Sequence, residues 1–184
     1  MIVFGSGGHT SEMLMMLKPD KLKHQETIFE RYGKVYFVVG HSDTWSMRKV
    51  KDYFKENLGV CIQDEVAKGR LEIINIYRAR EVKQSYFTSV FTTLYALGHS
   101  FVILSKIHIL RRLDLVVTNG PGTALPICYI HFILSRILLF NLKGKVLFIE
   151  SFCRVQDLSL TAKLLRPILK IMGQKFVVQW PELH

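Results

Sequence analysis

The chain has 184 residues, 49% of them apolar and 22% charged, with a formal net charge of +10 and a mean hydropathy of +0.20. That length suits a single domain, residues 1–184, with enough chain for a sizeable core. The basic balance calls for an anionic partner; with no zinc-finger spacing or RRM signature, nucleic acid is excluded in favour of an anionic membrane face or a phosphate-rich substrate. The three cysteines, Cys61, Cys128 and Cys153, are odd in number and far apart, and read as reduced thiols. The seven histidines are scattered without ligand spacing, so no metal site is expected. Met1 opens directly into the first strand, so no signal peptide is expected either.

In chain order, Ile2-Val3-Phe4 is a short apolar strand that runs into Gly5-Ser6-Gly7-Gly8-His9-Thr10 and a helix over residues 10–17. Glycine permits positive φ and a close approach to a ligand, and the amides of a helix N-terminus favour an anion. The turn is either a phosphate site or a plain strand-to-helix connection. A dinucleotide fingerprint needs glycine where Thr10 stands, and a P-loop ends in Gly-Lys-Ser/Thr where this turn ends in Gly8-His9-Thr10, so it is neither. His9 stands directly after the glycine pair, at the mouth of the helix. Histidine is the side chain that changes charge near neutral pH, which makes His9 a candidate base.

Pro19 closes the first helix, and a polar segment, 20–31, leads to a nearly continuous apolar strand at 34–39 that ends in Gly40-His41-Ser42-Asp43, turn and N-cap residues. An amphipathic helix at 43–56 and a strand at 71–76 follow. The alternation continues with a helix at 85–110, a strand at 113–118, a helix at 122–140, a strand at 145–150, a helix at 158–171 and a strand at 175–179. This is the pattern of an α/β, Rossmann-like parallel sheet of about six strands with helices on both faces. In such folds ligands sit outside the carboxyl ends of the strands.

Two later strand ends thereby become site candidates. Asn119-Gly120-Pro121-Gly122-Thr123 is a second glycine turn that opens a helix; with the first turn it would hold two ends of a diphosphate or a sugar, unless it is an ordinary turn. Glu150-Ser151 puts a carboxylate at the same edge. Glu150 either hydrogen-bonds a sugar hydroxyl or is a solvated strand-end charge or the partner of Arg154.

Residues 85–105 contain no Asp, Glu, Lys or Arg, a length that would cross a bilayer, for which about 20 apolar residues are needed. Serines and threonines interrupt the stretch, while Phe87, Val90, Phe91, Leu94, Leu97, Phe101 and Val102 recur at helical spacing. An interfacial or half-buried helix is expected, flanked by Lys83, Lys106, Arg111 and Arg112 toward anionic headgroups; a core helix is the alternative. The apolar segment 127–142 carries His131 and Arg136 and is expected to pack on the sheet.

Several motifs recur in a family-like order: Gly-Ser-Gly-Gly-His-Thr at 5–10, Asn-Gly-Pro-Gly-Thr at 119–123, Glu150-Ser151 with Cys153-Arg154-Val155, and Val178-Gln179-Trp180-Pro181. Together with Arg78-Ala79-Arg80-Glu81-Val82 and Val90-Phe91-Thr92-Thr93-Leu94, they closely resemble the Alg-fourteen-type subunits of the asparagine-linked glycosylation pathway over nearly the whole chain. The resemblance implies the acceptor-side half of a split GT-B glycosyltransferase, similar to the N-terminal domain of bacterial MurG, with a partner subunit that binds UDP-GlcNAc. Such a pair adds the second N-acetylglucosamine, in a β1,4 link, to GlcNAc-diphospho-dolichol on the cytosolic face of the endoplasmic reticulum. This chain would recruit the catalytic partner to the membrane and present the lipid-linked acceptor.

Residue by residue, the resemblance makes His9 the base on the acceptor hydroxyl, has Asn119, Gly120, Pro121, Gly122 and Thr123 cradle the acceptor diphosphate, and has Glu150 orient the acceptor sugar. It places Gly7, Gly8, Thr10 and Arg154 among the substrate-binding residues. No metal or other cofactor is required, since amides and helix dipoles bear the phosphate charge. Family members carry a transmembrane helix before the first strand and continue past Gln-Trp-Pro, whereas here Met1 lies at the strand and the sequence ends at His184. Membrane attachment is therefore expected from 85–110 and neighbouring helices, from the partner, or from sequence beyond this chain. The alternative function is a non-catalytic membrane scaffold that only anchors the partner.

Overall fold

The structure, a computed structural model, describes residues 1–18, 27–77, 86–120, 122–138 and 141–183. Six strands, β1 (Ile2–Val3), β2 (Val35–Gly40), β3 (Leu71–Ile76), β4 (Leu115–Thr118), β5 (Lys145–Ile149) and β6 (Lys175–Val177), form one sheet. Its order is β3-β2-β1-β4-β5-β6, and every pairing is parallel, as the sequence pattern predicts. Among the described residues, seven α-helices connect the strands: α1 (Gly8–Met16), α2 (Ile28–Arg31), α3 (Thr44–Leu58), α4 (Ile62–Ala67), α5 (Tyr86–Arg111), α6 (Ala124–Phe132) and α7 (Leu160–Ile171).

Alternation along β1 decides which side each residue feeds. Val3 joins Val38, Ile76, Val116 and Phe148 on the face covered by α5, α6 and α7, through Leu104, Ile127 and Leu165. Ile2 and Phe4 point the other way, to Phe37, Met13, Val50, Phe54 and Ile62, under α1 to α4. The Phe4 ring meets Phe37 edge-on, with centroids 5.1 Å apart, and Phe37 meets Phe54 at 5.6 Å. Burying each such side chain is worth about 1.5–3 kcal/mol, so the two cores hold the sheet between two helical layers.

Local chemistry sets several boundaries. The Asp43 carboxylate accepts from the Ser46 amide at 3.0 Å and caps α3; the Ser159 hydroxyl accepts from the Ala162 amide at 3.1 Å and caps α7. At the end of α5, Arg112 takes a left-handed φ of 53°, which turns the chain into β4. The long helix predicted at 122–140 is two pieces, because α6 passes into a π-helical turn (Ile133–Ile137). The short helix α4 was not expected; it carries too few apolar residues for a periodic signal and is held by burial of Ile62 and Glu65.

The π turn brings Ser135 close to α6. Its hydroxyl lies 3.4 Å from His131 Nδ1, and that same nitrogen lies 3.1 Å from His108 Nε2 of α5. Gly144, in the turn before β5, fits against this cluster: a Cβ there would stand 2.9 Å from Ser135 Oγ and 3.0 Å from two atoms of the His131 ring. Gly144→Ala is expected to cost about 1–3 kcal/mol through overpacking, measured by urea unfolding. A change below about 0.5 kcal/mol, the range of an ordinary surface substitution, would mean that the pair yields freely.

The helix α5 is half buried, as expected. Ala96, Ser100, Leu104 and Ile107 face the sheet, whereas Val90, Phe91, Leu94, Tyr95, Phe101, Val102, Ile109 and Leu110 are exposed. Its stretch Val90–Arg111 is long and apolar enough to cross a membrane. On the same layer α7 exposes Leu160, Leu164 and Ile171 beside Lys163, Arg166 and Lys170.

Candidate functional site

Strands β2 and β3 build outward from β1 on one side, and β5 and β6 build outward from β4 on the other. The loops that leave β1 and β4 therefore diverge, to α1 on one face and to α6 on the other. This switch of winding opens a crevice at the carboxyl edge of the sheet, where ligands of such folds bind. Both glycine turns of the sequence lie there.

Gly7 has φ 60° and ψ −118°, a conformation that excludes a side chain, and it brings the chain sharply into α1. Thr10 is fully buried and donates its hydroxyl to the Gly5 carbonyl, which also accepts from Ser46 Oγ at 3.0 Å. Thr10 thus closes the turn from beneath. Gly8 is exposed at the first position of α1, followed by His9, whose half-buried ring has its Nδ1 without a hydrogen-bond partner. In contrast to α3 and α7, neither α1 nor α6 has a side chain capping its first amides. At α6 the Leu125 amide already donates to the Gly122 carbonyl at 3.3 Å, and Pro126 has no amide proton. The unclaimed donors therefore lie chiefly on α1, while both helices turn positive dipole ends toward one crevice.

Asn119 ties the two turns together. Its Nδ2 donates to the His9 carbonyl at 2.6 Å and to Glu12 Oε2 at 3.3 Å, while the side chain is wholly buried. Gly120 follows at φ 92°, where a Cβ would meet Phe148 at 3.5 Å and Glu150 Oε1 at 3.6 Å. Pro121 lies outside the described residues. Gly122 is exposed and Thr123 buried at the start of α6.

Glu150 is buried, and each carboxylate oxygen accepts one backbone amide, from Ser151 and from Ser159, both at 2.9 Å. It thereby shapes the loop between β5 and α7. Arg154 is exposed on that loop, at the rim. The Trp180 indole donates to the Phe152 carbonyl at 2.8 Å and packs against the Phe152 ring at 4.9 Å, which gives the Gln-Trp-Pro segment a part in fixing the same loop.

One residue at the centre escaped the sequence reading. Glu12, on the second turn of α1, accepts from Asn119 and also from Ser151 Oγ at 2.9 Å, with Cys153 Sγ 4.0 Å away. It joins the loops of β1, β4 and β5. The only sequence signal is its position three residues after His9, which puts both on one side of α1. Among the described residues, no group of three His, Cys, Asp or Glu side chains comes together to hold a metal. A cavity of about 850 Å³ opens at the opposite edge, lined by Met1, Met16, Ile28, Tyr36 and Leu113, and no glycine-turn residue faces it.

Comparisons with known proteins agree with this fold. The whole chain, residues 1–184, matches the family described as "Oligosaccharide biosynthesis protein Alg14 like". It is 36% identical over 184 residues to the mouse UDP-N-acetylglucosamine transferase subunit ALG14, covering 100% of this chain and 76% of the mouse protein. The subunit of the same name in Schizosaccharomyces pombe is 34% identical over 185 residues, again with 100% and 76% coverage. Among solved structures, MurG from Acinetobacter baumannii superposes with a TM-score of 0.55 at 15% identity, and this chain spans 42% of that MurG chain. A MurG-like Rossmann sheet with a family match along its full length makes this chain a member of the Alg14 family of oligosaccharide biosynthesis proteins.

Proposed function

We propose that this chain is the acceptor-binding and membrane-recruiting subunit of a UDP-GlcNAc transferase, working as one acceptor-side domain. With a donor-binding catalytic partner it adds the second N-acetylglucosamine, in a β1,4 link, to GlcNAc-diphospho-dolichol at the cytosolic face of the endoplasmic reticulum membrane. The observation that carries this reading is the convergence of two uncapped helix N-termini at the switch point, with His9 in one of them. The amides around Gly7 and Gly8 and around Gly122 and Thr123 receive the two phosphates, and His9 takes the proton from the attacking hydroxyl. Arg154 meets the outer phosphate from the rim.

The membrane side follows from the exposed apolar rows of α5 and α7, edged by Lys106, Arg111, Arg112, Lys163, Arg166 and Lys170. Apolar rows flanked by lysine and arginine adsorb to an anionic bilayer face and keep the crevice within reach of a lipid-linked substrate. Dependence on a partner rests on the relatives' naming as subunits and on the 42% of a MurG chain that this fold matches.

The test is transfer of radiolabelled GlcNAc from UDP-GlcNAc to a GlcNAc-diphospholipid by this chain, by the partner, and by both. Transfer is expected only from the mixture. Transfer by this chain alone would mean that it carries its own donor site, and none with a full-length partner would leave the scaffold function.

A further inference from the structure

We infer that Glu12 is a specificity-determining residue that reads the hydroxyls of the acceptor sugar, at a sugar subsite separate from the phosphate-binding turns; the inference rests on the acceptor-side reading above. Glu12 is only part-buried, and it has no cation against it among the described residues. An ionised carboxylate has about four lone-pair sites. Asn119 Nδ2 takes one on Oε2 and Ser151 Oγ one on Oε1, where Cys153 Sγ adds a long, weak contact at 4.0 Å. The remaining lone pairs are acceptors in the crevice between the β1, β4 and β5 loops, and hydroxyl donors are what they suit.

Asn119 supplies a second, independent observation. The His9 carbonyl can only accept, so the amide nitrogen of Asn119 must face it, and the assignment of the side chain is fixed. Both donors are then spent inside the protein, while Oδ1, in a side chain with no solvent exposure, has no hydrogen-bond partner. A buried acceptor without a donor is costly, and a sugar hydroxyl entering beside Glu12 is a group that would relieve it. Thr118 Oγ1, one residue earlier, is likewise buried without a partner.

Charge separates the two ends of the ligand. Glu12, together with Glu150 beside Gly120, makes the floor between β4 and β5 rich in carboxylate. A diphosphate placed there meets like charge, whereas on the α1 and α6 N-termini it meets amides and positive dipole ends. The sugar therefore lies over Glu12, within reach of His9 on the same side of α1. Glu150 orients the sugar only indirectly, because its oxygens hold the Ser151 and Ser159 amides.

The experiment uses the complex of full chain and partner, with two ligands: a GlcNAc-diphospholipid as substrate, and the sugar-free polyprenyl diphosphate as competitive inhibitor. Glu12→Gln keeps the size of the side chain and removes its charge. It is expected to raise KM for the sugar-bearing lipid about tenfold or more, the scale of a lost hydrogen bond to a charged group. The inhibition constant of the sugar-free lipid and KM for UDP-GlcNAc are expected to stay within about twofold, since the phosphate-binding amides are untouched. Glu12→Asp should recover part of the loss, and Ser151→Ala should shift KM for the sugar-bearing lipid alone by a few-fold.

An equal rise for both lipids would overturn the inference, because a residue that merely braces the loops disturbs phosphate and sugar alike. An unchanged KM in Glu12→Gln would overturn it as well. Failure of the wild-type complex to transfer GlcNAc would instead sink the acceptor-side reading, and this one with it.

Discussion

Replacing His9 with alanine is expected to lower GlcNAc transfer by about 10²- to 10⁴-fold, the range supplied by a positioned general base, with association between subunits retained. The structure gives the substitution unusual selectivity. The bond that joins the two glycine turns runs from Asn119 Nδ2 to the backbone carbonyl of His9, and alanine keeps that carbonyl. The ring itself is half-buried, and its Nδ1 makes no hydrogen bond, so no internal side-chain bond is broken. Stability should change by less than about 1 kcal/mol, as for other substitutions that remove neither core packing nor a buried bond. Asn119→Ala makes the contrast: it removes two donors from the cluster and leaves Glu12 with one fewer partner, so it should weaken acceptor binding and lower stability together. Activity of His9→Ala within about threefold of wild type, in a complex that still forms, would remove histidine from the chemistry, since a base contributes at least about a hundredfold. Glu12, three residues on, would then be the group to examine.

The sheet was legible because its strands are short runs rich in β-branched and other apolar residues, bounded by turn residues. Val35 to Gly40 is buried along its whole length, as a continuous apolar run is in the middle of a parallel sheet covered on both faces. Knowing the strands, the rule that ligands gather at their carboxyl ends named both glycine turns and Glu150. What it does not give is which donor meets which acceptor. Asn119 and His9 are 110 residues apart, and Ser151 and Glu12 are 139 apart, so the cluster exists only once β4 has been placed beside β1. For the same reason Glu150 looked free to orient a sugar: nothing local to it discloses that the amides of Ser151 and Ser159 already fill its oxygens. The histidine pair on the other face was equally hidden, since His131 reads in the sequence only as a polar interruption in an apolar segment, and its partner is 23 positions away on α5.

That pair makes stability fall as pH drops from about 6.5, the unperturbed histidine value, toward the acid range. Burial, and then the neighbouring His108, push His131 down to about 3. His108 is also lowered, by burial, against an opposing pull from Asp114. Arg136 adds positive charge near His131 and acts in the same direction as burial, as does the Met1 amine once it is protonated, below about 5. With His108 Nε2 and His131 Nδ1 at 3.1 Å, one ring donates and the other accepts, which requires that they not both be charged. Between pH 6.5 and 3 the unfolded chain therefore binds a proton at position 131 that the folded chain refuses. The resulting slope is about 1.4 kcal/mol per pH unit from His131, and His108 adds to it with the same sign. At pH 5 the loss from His131 alone is about 2 kcal/mol relative to neutral pH. The carboxylate of Glu65 titrates in a lower window: burial raises it, but the Arg70 and Lys68 bonds outweigh that and hold it below its ordinary value of 4.5, so its contribution is lost only at more acidic pH. Burial also pushes the Met1 amine down to about 5, so it contributes between pH 7.5 and pH 5.0 with the same sign. Urea unfolding at those two values is read against His131→Gln, a reference that hydrogen-bonds to His108 but does not titrate. The difference between the two pH values should shrink in His131→Gln by about 2 kcal/mol. An identical pH dependence in wild type and variant would mean that the folded protein takes up protons at this pair, and that the packing between α5 and α6 opens to admit them.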